Sequence, residues 1–137
     1  MTRMIALAVT LVLVAWAPPG QKEAPDVGDD PPRVITVQMV DKGSTQWRFE
    51  PSEIQVRLGD VVRFVQADVA PHNVQFKDVP ADAQLGVAIM GPFLIQKGDV
   101  YEVEIDERFV PGLYKYVCTP HEPLGMVAQI EVVPGDR

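Results

Sequence analysis

The strongest constraint on this chain is a nine-residue stretch near its C-terminus, Cys118-Thr-Pro-His121-Glu-Pro-Leu-Gly-Met126, set between two strand-like runs. Leu113-Tyr-Lys-Tyr-Val117 leads into it and Met126-Val-Ala-Gln-Ile-Glu-Val-Val133 leads out. Pro120, Pro123 and Gly125 suit a connecting turn. Any fold that satisfies this pattern presents a thiol, an imidazole and a thioether together at one end of two extended segments. Soft sulfur combined with neutral imidazole favours copper over hard cations, because Cu(I) takes soft donors and Cu(II) takes imidazole nitrogen.

A second nitrogen donor is available in His72, the one other histidine of the chain, which lies in the short extended segment Ala70-Pro-His-Asn-Val-Gln-Phe76. His72, Cys118, His121 and Met126 then form the candidate ligand set for one Cu(I)/Cu(II) ion: trigonal His2Cys with a long axial methionine. Each residue has a plainer reading. Cys118 on its own reads as a small buried apolar residue, Met126 as core filling and His72 as a hydrogen-bonded structural histidine. A lone thiol in an oxidising compartment has no disulfide partner within the chain, and coordination would keep it as a bound thiolate. Zinc is a competing metal for the same donors.

With these residues in view, the chain resembles the cupredoxins, the small type 1 copper proteins, and most of all their plastocyanin and pseudoazurin branch. Pro71-His72-Asn73-Val74 is similar to that family's first-ligand segment, and Cys118-x2-His121-x4-Met126 has its loop spacing rather than the shorter amicyanin one. Phe49-Glu-Pro-Ser-Glu-Ile54, Leu58-Gly-Asp-Val-Val-Arg-Phe64, Pro111-Gly-Leu-Tyr114 and Gly125-Met-Val agree as well. The resemblance covers roughly residues 33–134. Glu122 and residues 78–93 depart from it, which bears on partner choice and local surface.

The resemblance implies an electron carrier whose redox protein partners, donor and acceptor, meet it at an apolar port around His121, with Pro71, Pro120, Pro123 and Leu124 as patch members. It also implies that Asn73 ties the first-ligand segment to the cysteine loop. Glu122 would place a negative charge beside the port. Copper storage or delivery is the alternative function. A copper enzyme is disfavoured, since oxidase or nitrite reductase chemistry needs further histidines and both are already used.

The rest of the chain reads as extended. Ile35, Val37 and Met39 alternate with polar neighbours, as do Ile54, Val56 and Leu58 and then Tyr101, Val103 and Ile105. Period two means half-buried strands. Turn signals at Lys42-Gly-Ser, Leu58-Gly-Asp, Gln96-Lys-Gly-Asp99 and Val110-Pro-Gly112 separate them, so the expectation is an all-β, single-domain antiparallel Greek-key sandwich. Tyr114 and Tyr116 share the parity of Cys118 and are expected to point inward. Met39 and Met90 are expected in the core, Met90 with the option of bordering the site. A short helical turn or loop is expected within residues 78–90.

The ends read differently. Residues 1–17 carry one basic residue, a short apolar run and Ala15-x-Ala17, the pattern of a secretory signal, too short to span a bilayer comfortably. Pro18 disfavours cleavage, which leaves an uncleaved membrane tether as the alternative. Residues 18–32, with five prolines and two glycines, read as a flexible acidic leader, and residues 135–137 as a tail. The expected location is therefore periplasmic or otherwise extracytoplasmic. Net charge is −7, or −8 once Arg3 leaves with the signal, which argues against nucleic acid and suits basic docking surfaces on a partner. A soluble monomeric mature domain is expected.

Overall fold

The structure, a computed structural model, describes residues 31–135. The expected signal, most of the leader and the last two residues of the tail lie outside the described residues.

Among the described residues, alternating side chains build eight strands: β1 (Val34–Val40), β2 (Arg48–Glu50), β3 (Glu53–Val56), β4 (Val61–Gln66), β5 (Gln75–Asp78), β6 (Val100–Glu104), β7 (Gly112–Val117) and β8 (Val127–Val132). They form two four-stranded sheets, ordered β2-β1-β4-β6 and β3-β8-β7-β5. The inward parity is the expected one, with Val37, Met39, Val56, Val103, Tyr114 and Tyr116 all buried.

The sheets are mixed rather than wholly antiparallel. β1 runs parallel to β4 and β3 parallel to β8, while the other pairings are antiparallel. Period-two alternation states which face of a strand is buried and is silent on its direction. Direction is set here by a chain that changes sheet between β2 and β3, between β3 and β4, and again at each connection from β4 to β7.

Aromatic rings join the two layers. Tyr116 of β7 meets Phe49 at 4.8 Å, Phe64 at 5.4 Å and Phe76 at 5.8 Å between ring centroids, the first two rings coming from the opposite sheet. Such inclined pairs contribute beyond the area they bury. Tyr114 Oη donates to the Val110 carbonyl at 2.9 Å and accepts from the Val110 N–H at 2.8 Å, which pins the chain as it enters β7. Since Cys118 directly follows β7, this anchored strand fixes where the sulfur sits.

Two sequence expectations for residues 70–93 change in detail. His72 precedes β5 and is held instead by an isolated bridge: its N–H bonds the Leu94 carbonyl at 3.1 Å, and the Leu94 N–H bonds its carbonyl at 2.7 Å. Met90 is 49% exposed and is no core residue. It follows the 3-10 turn Gly86–Ile89 and bridges Gln75 through its backbone, leaving the core contacts there to Leu85 and Ala88.

At the far end from Cys118, the turn between β3 and β4 is closed by an Asp60 N–H bond to the Arg57 carbonyl, with Gly59 at a φ of 93° that favours glycine. Asp60 is buried, and its carboxylate accepts from the backbone N–H groups of Arg33 at 3.0 Å and Arg57 at 2.9 Å while pairing with the Arg33 guanidinium. Burial alone would raise its pKa, but these bonds outweigh it and hold the carboxyl below the ordinary 3.8. The stability this gives is therefore present above pH 3.8 and is lost as pH falls through the lower folded value. Asp60→Asn should destabilise the protein by about 1–3 kcal/mol at neutral pH. Denaturant titrations across pH will show the gap between the two proteins narrowing in acid; a gap independent of pH would contradict this account.

Candidate metal centre

The strand ends at one edge of the sandwich carry the site. Cys118 follows β7, Met126 precedes β8, His72 lies in the loop between β4 and β5, and the loop after β1 packs beside them through Trp47. The cysteine loop closes on itself: the Cys118 N–H bonds the Met126 carbonyl at 3.1 Å, the Met126 N–H bonds the His121 carbonyl at 3.1 Å, and the His121 N–H bonds the Cys118 carbonyl at 3.0 Å. The turn expected there is a 3-10 helix, Glu122–Leu124, ended by Gly125 at a φ of 88°. With its carbonyls and N–H groups so employed, the loop has little freedom to rearrange.

Three donor atoms converge at this edge. His72 Nδ1 lies 3.1 Å from His121 Nδ1, and Cys118 Sγ lies 3.5 Å from the first and 3.3 Å from the second. One ion at ordinary bond lengths of about 2.0–2.3 Å can touch all three. The cluster contains no carboxylate, so its chemistry is that of soft and borderline metals rather than Mg2+ or Ca2+. His72, Cys118 and Met126 are all fully buried, and His121 is part-exposed. Met126 is held next to Cys118 through the backbone bonds just described.

Electrostatics favour metal-ready nitrogens. Burial, and then the neighbouring His121, push the His72 pKa down to about 4, and burial also lowers His121. Both rings are consequently neutral at pH 7. Burial raises the Cys118 thiol, opposed by the backbone N–H groups of Asn73 and His121, which face the sulfur. A buried thiolate thus wants a compensating cation, and binding one releases the thiol proton.

Asn73 links the two halves of the site. Its Nδ2 donates to Thr119 Oγ1 at 2.9 Å and its Oδ1 accepts from the Thr119 N–H at 2.8 Å. Of the expected port residues, Pro71, Pro120, Pro123 and Leu124 are exposed, Leu124 to 57%. Glu122 pairs with Lys77 at 3.3 Å, so the acid beside the port is partly answered by a cation that sequence spacing does not reveal.

Trp47, which the sequence reading passes over, lies against both imidazoles. Its ring stacks on His121 at 3.9 Å and 16°, and meets His72 edge-on at 6.0 Å and 71°. The available signal was parity, since Trp47 and Phe49 alternate with Arg48 and Phe49 is core. Asp41 and Asp68 carry no such signal in the sequence. The buried Asp41 carboxylate accepts from the N–H groups of Ala70 at 2.7 Å and Val69 at 3.3 Å, and Asp68 accepts from those of Asp41 at 3.0 Å and Lys42 at 3.3 Å. These reciprocal bonds lock the loop before Trp47 to the loop before His72.

The profile of the copper binding proteins, plastocyanin/azurin family, matches residues 36–133. A plastocyanin from Prochlorothrix hollandica is 38% identical over 84 residues, covering 61% of this chain and 62% of the relative. A putative pseudoazurin from Rhizobium leguminosarum bv. viciae is 37% identical over 98 residues, covering 70% of this chain and 58% of the relative. The chain thus spans about three fifths of the length of these two relatives. Among solved structures, a mutant plastocyanin of fern superposes with a TM-score of 0.59 at 28% identity, covering 71% of this chain and 98% of that one. A two-sheet β-sandwich with a His-Cys-His cluster at one edge, matched by that profile over most of its described length, places this chain in the plastocyanin/azurin family of copper binding proteins.

Proposed function

We propose that this chain is an exported one-electron carrier whose single copper would be held by His72 Nδ1, Cys118 Sγ, His121 Nδ1 and, as a weaker fourth donor, Met126 Sδ. The observation that carries the reading is the triangle of donor atoms 3.1–3.5 Å apart, brought together from two separate chain segments by backbone bonds and the Asn73–Thr119 link. When bound, the copper supplies the Cu(I)/Cu(II) couple. The residues supply everything else. The locked loop and the His72–Leu94 bridge hold the donors in one arrangement for both oxidation states, which keeps the rearrangement per electron small. Burial excludes water from the sulfur. The part-exposed ring of His121, amid Pro71, Pro120, Pro123 and Leu124, is the route by which electrons reach a redox partner. Export rests on the signal-type pattern of residues 1–17.

A delivery protein needs donors that exchange readily, and a donor set this enclosed favours the carrier. Titrating the purified protein with Cu(II) tests the choice. An intense visible band that saturates at one copper per chain, bleaches with a mild reductant and returns on oxidation is expected. A colourless complex, or thiol oxidation without a stable band, would favour storage or delivery.

Removing the Asn73 side chain should act on both halves of the site. Asn73→Ala deletes the two bonds to Thr119 and is expected to cost the metal-free protein about 1–3 kcal/mol in denaturant unfolding. Copper affinity should fall about tenfold or more, as for other groups that orient metal ligands. Unaltered affinity would mean that Thr119 contributes nothing to holding the loop.

Charge beside the port should govern docking rather than colour. Glu122→Gln is expected to leave the visible band intact, to slow electron transfer with a basic protein partner and to flatten its dependence on ionic strength. Identical kinetics at every salt concentration would remove Glu122 from the docking surface.

A further inference from the structure

His121 differs from His72 in how its ring is held. His72 is fully buried, whereas His121 is part-exposed, and the last side-chain torsion of a histidine is of the broad, soft kind that packing must restrain. What fixes its plane is a stacked neighbour. Trp47 covers the His121 ring at 3.9 Å between centroids with an interplanar angle of 16°, a close, nearly parallel stack. Trp47 is itself half-buried and packed against the core, just ahead of β2, whose Arg48 pairs with Val40 of β1. The adjoining loop is locked through Asp41 and Asp68 to the segment carrying His72. A rigid surface ring is thus laid across the exposed histidine by the same loops that deliver the buried one.

We propose that Trp47 is the positioning residue of the electron port, holding the His121 ring in the plane that aims Nδ1 at Cys118 and forming with it a two-ring surface on which electrons enter and leave. The proposal rests on the carrier reading above. Trp47 binds no copper and changes no oxidation state; an electron passes between His121 and the partner with Trp47 keeping the rings in register.

The test uses the full chain with Trp47→Phe, which keeps a ring, and Trp47→Leu, which keeps bulk without one; Trp47→Met replaces the leucine variant if that fails to fold. In the metal-free proteins, NMR should place the His121 ring protons upfield in wild type and Trp47→Phe and return them to ordinary positions in Trp47→Leu. All three should bind one copper with the intense visible band. Electron exchange between two copies of the chain, read from NMR line broadening in mixtures of oxidised and reduced protein, should slow about two- to tenfold in Trp47→Leu, the span that loss of one aromatic stack implies, and stay near wild type in Trp47→Phe. An exchange rate that ignores the leucine substitution would overturn the proposal, as would His121 protons that are not shifted in wild type. A colourless wild-type complex would overturn the carrier reading and this proposal with it, whereas a blue wild type with a leucine-insensitive rate overturns this proposal alone.

Discussion

Two imidazoles and a thiol are held within 3.1–3.5 Å of one another in a water-poor corner of the sandwich, and the local structure answers to that constraint. Burial lowers the proton affinity of both rings and raises that of the sulfur. The three groups therefore sit as neutral imidazoles and a thiol until a cation compensates a thiolate. Backbone bonds on either side hold these groups in place: the His72–Leu94 bridge from one segment and the closed 118–126 loop from the other.

Support for that corner comes from both layers. The Tyr116 ring touches aromatic rings of each sheet and lies two residues before Cys118, so the sulfur inherits the rigidity of the core. Asn73 and Thr119 cross from one ligand segment to the other, and the Asp41 and Asp68 carboxylates bind the outer loops together. Because those carboxylates are occupied with backbone N–H groups, they steady the frame without joining the donor set. Around the one part-exposed donor the surface turns apolar, with prolines, Leu124 and the indole of Trp47, while the Glu122–Lys77 pair marks its charged border.

Much of this was legible from local pattern. The 118–126 loop advertises its chemistry because its donors are neighbours in the chain, and alternation such as Val37 and Met39 or Tyr114 and Tyr116 marks the inward faces. Legibility failed where one residue's environment is made by distant segments. Met90 looked apolar enough for the core, yet a backbone bridge to Gln75 leaves its side chain half exposed. The partners of His72, Glu122 and Asp41, namely Leu94, Lys77 and the loop ending at Ala70, carry no signal at any fixed sequence spacing.

By itself, the sequence determined the class of fold, the buried face of each strand and the chemical character of the donor set, because these depend on side-chain type and short-range periodicity. Tertiary structure alone decided that β1 runs parallel to β4 and β3 to β8, that the two Nδ1 atoms and the sulfur form one cluster, and that Trp47 lies flat on His121. Those are relations between segments tens of residues apart. They arise only when both sheets close over one core and bring the strand ends to a common edge.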